Sequence, residues 1–207
     1  MQETLVQQLI ESGTLKTSEI IEAFRAIDRI NFVPEDKKEE AYRNVPLPIG
    51  FGQTISQPET VALMLELLQP KKGEKIMDVG AGSGWQSALL AQIVGKTGKI
   101  FSIEIVPELK LFGSQNISKY GFIEDGRVES LSLNAETGMQ EEAPFDKIIS
   151  AASANFVPQE WKNQLKVGGR IVMPVKESIL LVEKTGENEF KETEYPGFAF
   201  VPFIPED

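Results

Sequence analysis

Asp78-Val79-Gly80-Ala81-Gly82-Ser83-Gly84 is the stretch whose reading decides the fold. The run Lys75-Ile76-Met77-Asp78-Val79 reads as a buried strand leading into it, and Trp85 to Val94 reads as the helix leaving it. Glycines permit a sharp turn and let a ligand approach the backbone closely. The helix that follows presents its unpaired amides to the same point. Beyond this turn, strands and helices alternate. Lys99 to Ile105 reads as a second strand, Pro107 to Lys119 as a second helix, and Arg127 to Leu133 as a third strand. Asp146 to Ser150 is a fourth strand, Pro158 to Leu165 a helix, and Gly169 to Val175 a fifth strand. Helices between strands imply crossovers onto a largely parallel sheet. Residues 178–184 and 198–203 read as two further strands; with no helix between them, they are expected to form an antiparallel hairpin.

The residues before this alternation have a different character. Leu5, Val6 and Leu9 mark a short amphipathic helix broken at Gly13. Thr17 or Ser18 can cap a second, with Ile20, Ile21, Phe24 and Ile27 buried. Two prolines and two glycines within 44–57 exclude a regular helix, so this stretch reads as a partly covered loop. Pro58 suits the first turn of a helix running to Leu68. The division expected is a helical cap over residues 1–57 packed on a core over residues 58–207, together one compact domain.

Composition removes several function classes. Among 207 residues, 41% are hydrophobic and 25% charged, which suits a filled core and excludes a disordered chain. The net charge of -10 repels nucleic acid and anionic lipid, so neither is an expected partner. Cysteine and histidine are both absent. Thiolate nucleophiles, histidine bases and the common zinc sites go with them, and no metal is expected. No basic patch followed by an apolar run opens the chain, and no apolar stretch has membrane-spanning length, so the expectation is a soluble, cytoplasmic protein without a membrane partner.

A phosphate-loop ATPase requires Gly-x-x-x-x-Gly-Lys-Ser/Thr, which is missing. The dinucleotide pattern Gly-x-Gly-x-x-Gly fails too, because its last position falls on Trp85 or Ser87. The acid-x-Gly-x-Gly-x-Gly spacing instead resembles the cofactor loop of Rossmann-like S-adenosylmethionine-dependent methyltransferases. That resemblance assigns Gly80, Gly82 and Gly84 to the cofactor. Glu104, ending the second strand, can accept hydrogen bonds from both ribose hydroxyls. Asp78 can hold the turn or meet the cofactor's ammonium through water.

From about Leu9 to Pro202 the chain resembles the protein-L-isoaspartate (D-aspartate) O-methyltransferase family. The most specific match is Leu47-Pro48-Ile49-Gly50-Phe51-Gly52-Gln53-Thr54-Ile55-Ser56-Gln57-Pro58, which is similar to the family's active-site loop. Phe32-Val33-Pro34, Ala143-Pro144-Phe145-Asp146, Gln164 to Pro174 and Phe200-Val201-Pro202 also match family segments. The resemblance implies a seven-stranded, mostly parallel methyltransferase sheet with a C-terminal antiparallel hairpin and an N-terminal helical cap. It implies methyl transfer from S-adenosyl-L-methionine, leaving S-adenosyl-L-homocysteine, to the free α-carboxylate of L-isoaspartyl residues in damaged proteins or peptides. An acceptor that is already ionised at neutral pH needs no base, which is compatible with a chain lacking histidine.

The same resemblance places Ser56 and Thr54 as the catalytic hydroxyls, with Ile55, Gln57, Val201 and Pro202 at the substrate. Ser56 has a second available role as cap of the helix starting at Pro58. Trp85 reads as packing beneath the turn. The chain departs from the family at Leu133-Asn134-Ala135, where Gly-Asp-Gly is usual; Asn134 can keep a hydrogen bond to adenine without the charge. It departs again at Lys176, where the family has glycine. These departures leave a methyl acceptor other than isoaspartate, or a non-catalytic cofactor-binding homologue, as the alternatives. No pattern demands a partner copy, so a monomer is expected.

Overall fold

In the computed structural model, which describes residues 1–203, seven strands form one sheet. Two helices open the chain, α1 (Gln2–Glu11) and α2 (Ser18–Ala26). A small hairpin follows, β1 (Leu47–Gly50) and β2 (Gln53–Ile55), then α3 (Pro58–Leu68). The alternating part runs β3 (Lys75–Val79), α4 (Trp85–Val94), β4 (Lys99–Ile103), α5 (Pro107–Ser118), β5 (Val128–Leu131), β6 (Phe145–Ser150) and α6 (Gln159–Asn163). It closes with β7 (Leu165–Val175), β8 (Ser178–Gly186) and β9 (Glu189–Pro196). The sheet order is β5-β4-β3-β6-β7-β8-β9. Pairs from β5 to β7 are parallel; β7–β8 and β8–β9 are antiparallel. The expected mostly parallel seven-stranded sheet with its antiparallel end is therefore present.

Alternation along each strand sends neighbouring side chains to opposite faces. Ile76, Ile100, Ile149 and Val172 join one core with residues of α1 to α5, so the helical cap and the sheet share a single apolar cluster. Met77, Phe101, Ile148 and Ile171 join the other, which is covered by Trp161 of α6 and by Leu133, Ala135 and Met139 of the loop after β5. One face thus carries five helices and the other a short helix and a loop. The chain runs outward from β3 through β4 to β5, then returns to place β6 on the other side of β3. Open parallel sheets bind ligands beyond the carboxyl ends of the strands at such a reversal.

Three expectations are corrected. The last strand is β9, not residues 198–203. Half of its sequence, Glu-Phe-Lys-Glu-Thr-Glu-Tyr-Pro, is charged, as suits an edge strand exposed along much of its length. The more apolar tail instead crosses to Ser153, whose amide donates to the Val201 carbonyl at 2.8 Å and whose carbonyl accepts from the Phe203 amide at 2.9 Å. Second, residues 44–57 are not all loop: within them β1 and β2 pair antiparallel around Gly50, Phe51 and Gly52, all with positive φ. Third, β7 begins at Leu165, ahead of the expected Gly169. The pairing with β6 shifts between Phe145 and Lys147, and the Gly168-Gly169 pair lies inside the strand. A Cβ on Gly169 would stand 2.8 Å from the Asp146 carbonyl, so only glycine fits there.

Candidate active site

Val79 ends β3 and Gly80 begins the turn beyond it. The amides of Gly80 and Ala81 both donate to the Ile103 carbonyl, at 2.9 and 3.0 Å, which bends the chain across the end of β4. Gly80 and Gly82 have φ of 72° and 51°. A Cβ on Gly80 would press on Ala152 at 3.3 Å, and one on Gly82 on Ile49 at 3.2 Å. Glu104, 7% exposed, accepts from the Gly82 amide on Oε2 and from the Val106 amide on Oε1, both at 2.9 Å. Two backbone donors therefore fix its carboxylate, and each oxygen keeps a further lone pair for a ligand.

These groups line a cleft of about 630 Å³, open to solvent, with Ile103, Ile105, Leu133, Asn134 and Ala151 among its walls. Glu104 is the one charged side chain lining it among the described residues. A smaller cavity of about 330 Å³ meets the cleft along Thr54, Gly80, Gly82 and Ala151. It lies between the hairpin and the turn, and Ile55, Ser56 and Trp85 also line it. Neither the Thr54 nor the Ser56 hydroxyl is spent on a hydrogen bond among the described residues, so both are available to a ligand. The helix cap is supplied elsewhere: Gln57 is the N-cap residue of α3, and the Asn44 side chain accepts from the Glu59 amide at 3.0 Å.

Beneath the turn, Asp78 is fully buried. Gln86 donates to one of its carboxylate oxygens at 2.7 Å and Ser87 to the other. Burial raises its pKa to about 6 against the pull of those two hydrogen bonds, with Glu104 adding to the rise. Asp78 thus pins the start of α4 and does not line the cleft.

The most heavily used polar side chain near the site is Arg29, which is fully buried. It donates to the carbonyls of Ala41 at 2.6 Å, Val45 at 3.1 Å and Ser56 at 3.0 Å, with a longer contact to Arg43. Its guanidinium lies 5.3 Å from the centroid of the Trp85 ring, which itself meets Phe24 edge-on at 5.4 Å. Burial lowers its pKa to about 10, so it stays charged at neutral pH. One cation thereby ties both ends of the hairpin segment to the helix after the glycine turn.

The reversal-point cleft thus holds one anchored carboxylate, with two hydroxyl residues that have no partner among the described residues close by. The family model for protein-L-isoaspartate (D-aspartate) O-methyltransferase matches residues 1–206. The chain is 42% identical to the protein-L-isoaspartate O-methyltransferase of Methanopyrus kandleri, covering 99% of this chain and 92% of that protein. The chain belongs to this family. It is 40% identical to the Aeropyrum pernix enzyme of the same name, over 98% of this chain and 78% of that one. A crystal structure of a putative protein-L-isoaspartate O-methyltransferase from Plasmodium falciparum, in complex with S-adenosyl-L-homocysteine, shares the fold with a TM-score of 0.84 at 23% identity, covering 97% of each chain. The protein is accordingly an S-adenosylmethionine-dependent methyltransferase of the isoaspartate O-methyltransferase family.

Of the residues assigned from sequence, the fold brings Thr54, Gly80, Gly82, Glu104, Asn134, Val201 and Pro202 to the main cleft, and Ile55 and Ser56 to the cavity that joins it. Asn134 already accepts from the Glu136 amide at 2.9 Å, which leaves one lone pair and its NH2 for a ligand. Three lie outside. Asp78 is beneath the turn. Gln57 lines a groove with Thr14 and Lys16, away from the cleft. Gly84 serves packing: a Cβ there would stand 2.8 Å from the Gly113 carbonyl on α5. Gly113 answers it, since its own Cβ would strike the Gly82 carbonyl at 2.7 Å. Trp85 packs as expected and is 1% exposed. Arg29 and Gly113 were missed from sequence. A glycine inside the pattern of α5 was the available sign of a close backbone approach; Arg29 carried none.

Proposed function

We propose that the protein methylates the free α-carboxylate of L-isoaspartyl residues in damaged proteins or peptides, as a repair enzyme. One observation carries the reading: Thr54 and Ser56, whose hydroxyls have no partner among the described residues, line with the glycine turn a cavity continuous with the Glu104 cleft. The residues fit S-adenosylmethionine. Glu104 has lone pairs for a pair of ribose hydroxyls, Asn134 lines the same cleft for the base, and no cation among the described residues lines either space to oppose a sulfonium. When bound, the cofactor supplies a methyl group made electrophilic by its positive sulfur.

The chain's own work is then orientation. The acceptor carboxylate is ionised at neutral pH and needs no base. Ser56, with Thr54 beside it, donates hydrogen bonds that hold the carboxylate toward the turn. A hydroxyl does this without placing a second positive charge next to the sulfonium. Arg29 fixes the Ser56 carbonyl and hence the direction of its side chain, while Ala151 and Ala152 keep that side of the space narrow.

Labelled S-adenosylmethionine offered with matched peptides carrying isoaspartate or aspartate tests this directly. Base-labile label is expected in the isoaspartyl peptide alone. A hydroxyl donating to a carboxylate makes a charge-assisted bond, so Ser56→Ala is expected to lower kcat/KM roughly ten- to hundredfold. Equal labelling of both peptides, or of neither, would discard the isoaspartyl acceptor.

A further inference from the structure

A second groove, of about 910 Å³, continues the cleft and meets it along Asn134, Pro202 and Phe203. Glu136, Ser153, Phe156 and Lys176 add to its lining. Lys176 is the only cation lining the cleft, the hairpin cavity or this groove, among the described residues. It has no ion-pair partner among them either, although acidic side chains outnumber basic ones 31 to 21.

The backbone makes this lysine more informative. Lys176 sits in the tight turn between β7 and β8 with φ of 55°, a conformation in which glycine is at ease and lysine is not. Backbone bonds hold it there: its amide donates to the Ala154 carbonyl at 3.1 Å, and its carbonyl accepts from the Ser153 hydroxyl at 3.4 Å. Local structure alone would favour glycine at this point. A long cation on a fixed backbone is the arrangement of a group that meets something from outside. Among the described residues, the other charges in the groove and turn are Glu136, which also lines the groove, and Glu177, the next residue of the turn, which does not. Phe156, 66% exposed, supplies an apolar surface in the same groove.

We propose that this groove holds the stretch of substrate flanking the methyl acceptor and that Lys176 selects an acidic side chain there. The proposal rests on the isoaspartyl reading of the cleft. Lys176 lines the groove and not the cleft, so it meets a neighbour of the acceptor and leaves the acceptor carboxylate to the hydroxyls. It also answers a problem of charge. A molecule with a net charge of -10 repels acidic peptides at long range, and a local cation at the mouth offsets that repulsion where it matters.

The test uses isoaspartyl peptides that differ only in Glu or Gln at each of the two positions on either side of the isoaspartate. At one or more positions the wild-type kcat/KM is expected to favour Glu by about two- to fivefold, the range of an exposed ion pair. The preference should shrink in 0.5 M salt. Lys176→Gln is expected to abolish it and Lys176→Glu to reverse it. A Glu/Gln ratio that is the same in wild type and Lys176→Glu at all four positions would overturn the proposal while leaving isoaspartyl methylation standing. If no isoaspartyl peptide is methylated, the reading of the cleft fails by itself. The groove is then judged by fluorescence anisotropy of the labelled peptides on protein loaded with S-adenosylhomocysteine. Equal affinity for Glu and Gln peptides, or no binding, overturns it there too.

Discussion

The glycine turn and the hairpin face each other across one space, yet they are held in place by different means. Gly80, Ala81 and Gly82 hang from the end of β4 by backbone amides, donating to the Ile103 carbonyl and the Glu104 carboxylate. The hairpin strands β1 and β2 pair with each other and with no strand of the large sheet. Arg29 reaches the carbonyls of Ala41, Val45 and Ser56 to anchor the segment, with the Asn44–Glu59 contact as a second tie. The glycine-turn side therefore inherits its geometry from the backbone of the sheet. The hairpin side inherits its geometry from individual side chains, where substitution can move it.

Breaking the acceptor anchor is the largest test of that contrast. Arg29→Met leaves the buried Ala41 carbonyl and the part-buried Val45 and Ser56 carbonyls without a donor, and the unfolding free energy from urea denaturation is expected to fall by about 3 kcal/mol. Arg29→Lys, which keeps one of the contacts and the charge, should recover part of the loss. A loss below about 1 kcal/mol in Arg29→Met would show that the hairpin stands without its cation. On the cofactor side, Glu104→Ala removes a charged acceptor. The Kd for S-adenosylhomocysteine, read by calorimetry, is expected to rise roughly ten- to hundredfold. Unchanged affinity would place the nucleoside elsewhere.

The smallest effect sharpens the contrast from beneath the turn. Asp78 has a folded-state pKa of about 6 against an ordinary 3.8. Between these values the folded protein binds a proton that the unfolded chain has lost, so this group's contribution to stability falls as pH rises from about 4 to 6. Asp78→Asn fixes a neutral side chain in its place. The stability of wild type relative to Asp78→Asn should thus decline by roughly 1–3 kcal/mol between pH 4 and pH 7. A flat difference across that range would mean that the buried carboxylate is no weak point beneath the glycine turn.

What could be read in the sequence follows the same line. Lys75 to Val79, the glycines and Glu104 are legible because a buried parallel strand, its turn and the end of the next strand are local patterns with fixed spacing. Thr54 and Ser56 became legible through the resemblance, not through any physical pattern of their own. Arg29 was not legible at all. Its partners are backbone carbonyls 12 to 27 residues away, and a carbonyl has no sequence signature. Gln57 was misplaced because the reversal of the chain into α3 turns it from the cleft into another groove. The last strand was misplaced because apolar content marks burial, and β9 is an edge strand while the apolar tail lines the cleft.

Gly113 packs so closely on the backbone of Gly82 and Gly84 that neither Gly84 nor Gly113 has room for a β-carbon, and this joins the fate of α5 to that of the turn. With the two backbones in contact there is no side chain between them to act as a cushion. The helix cannot loosen at its middle while the turn keeps its shape. The two are expected to open as one cooperative unit, so that a disturbance on the outer surface of α5 reaches the rim of the cleft.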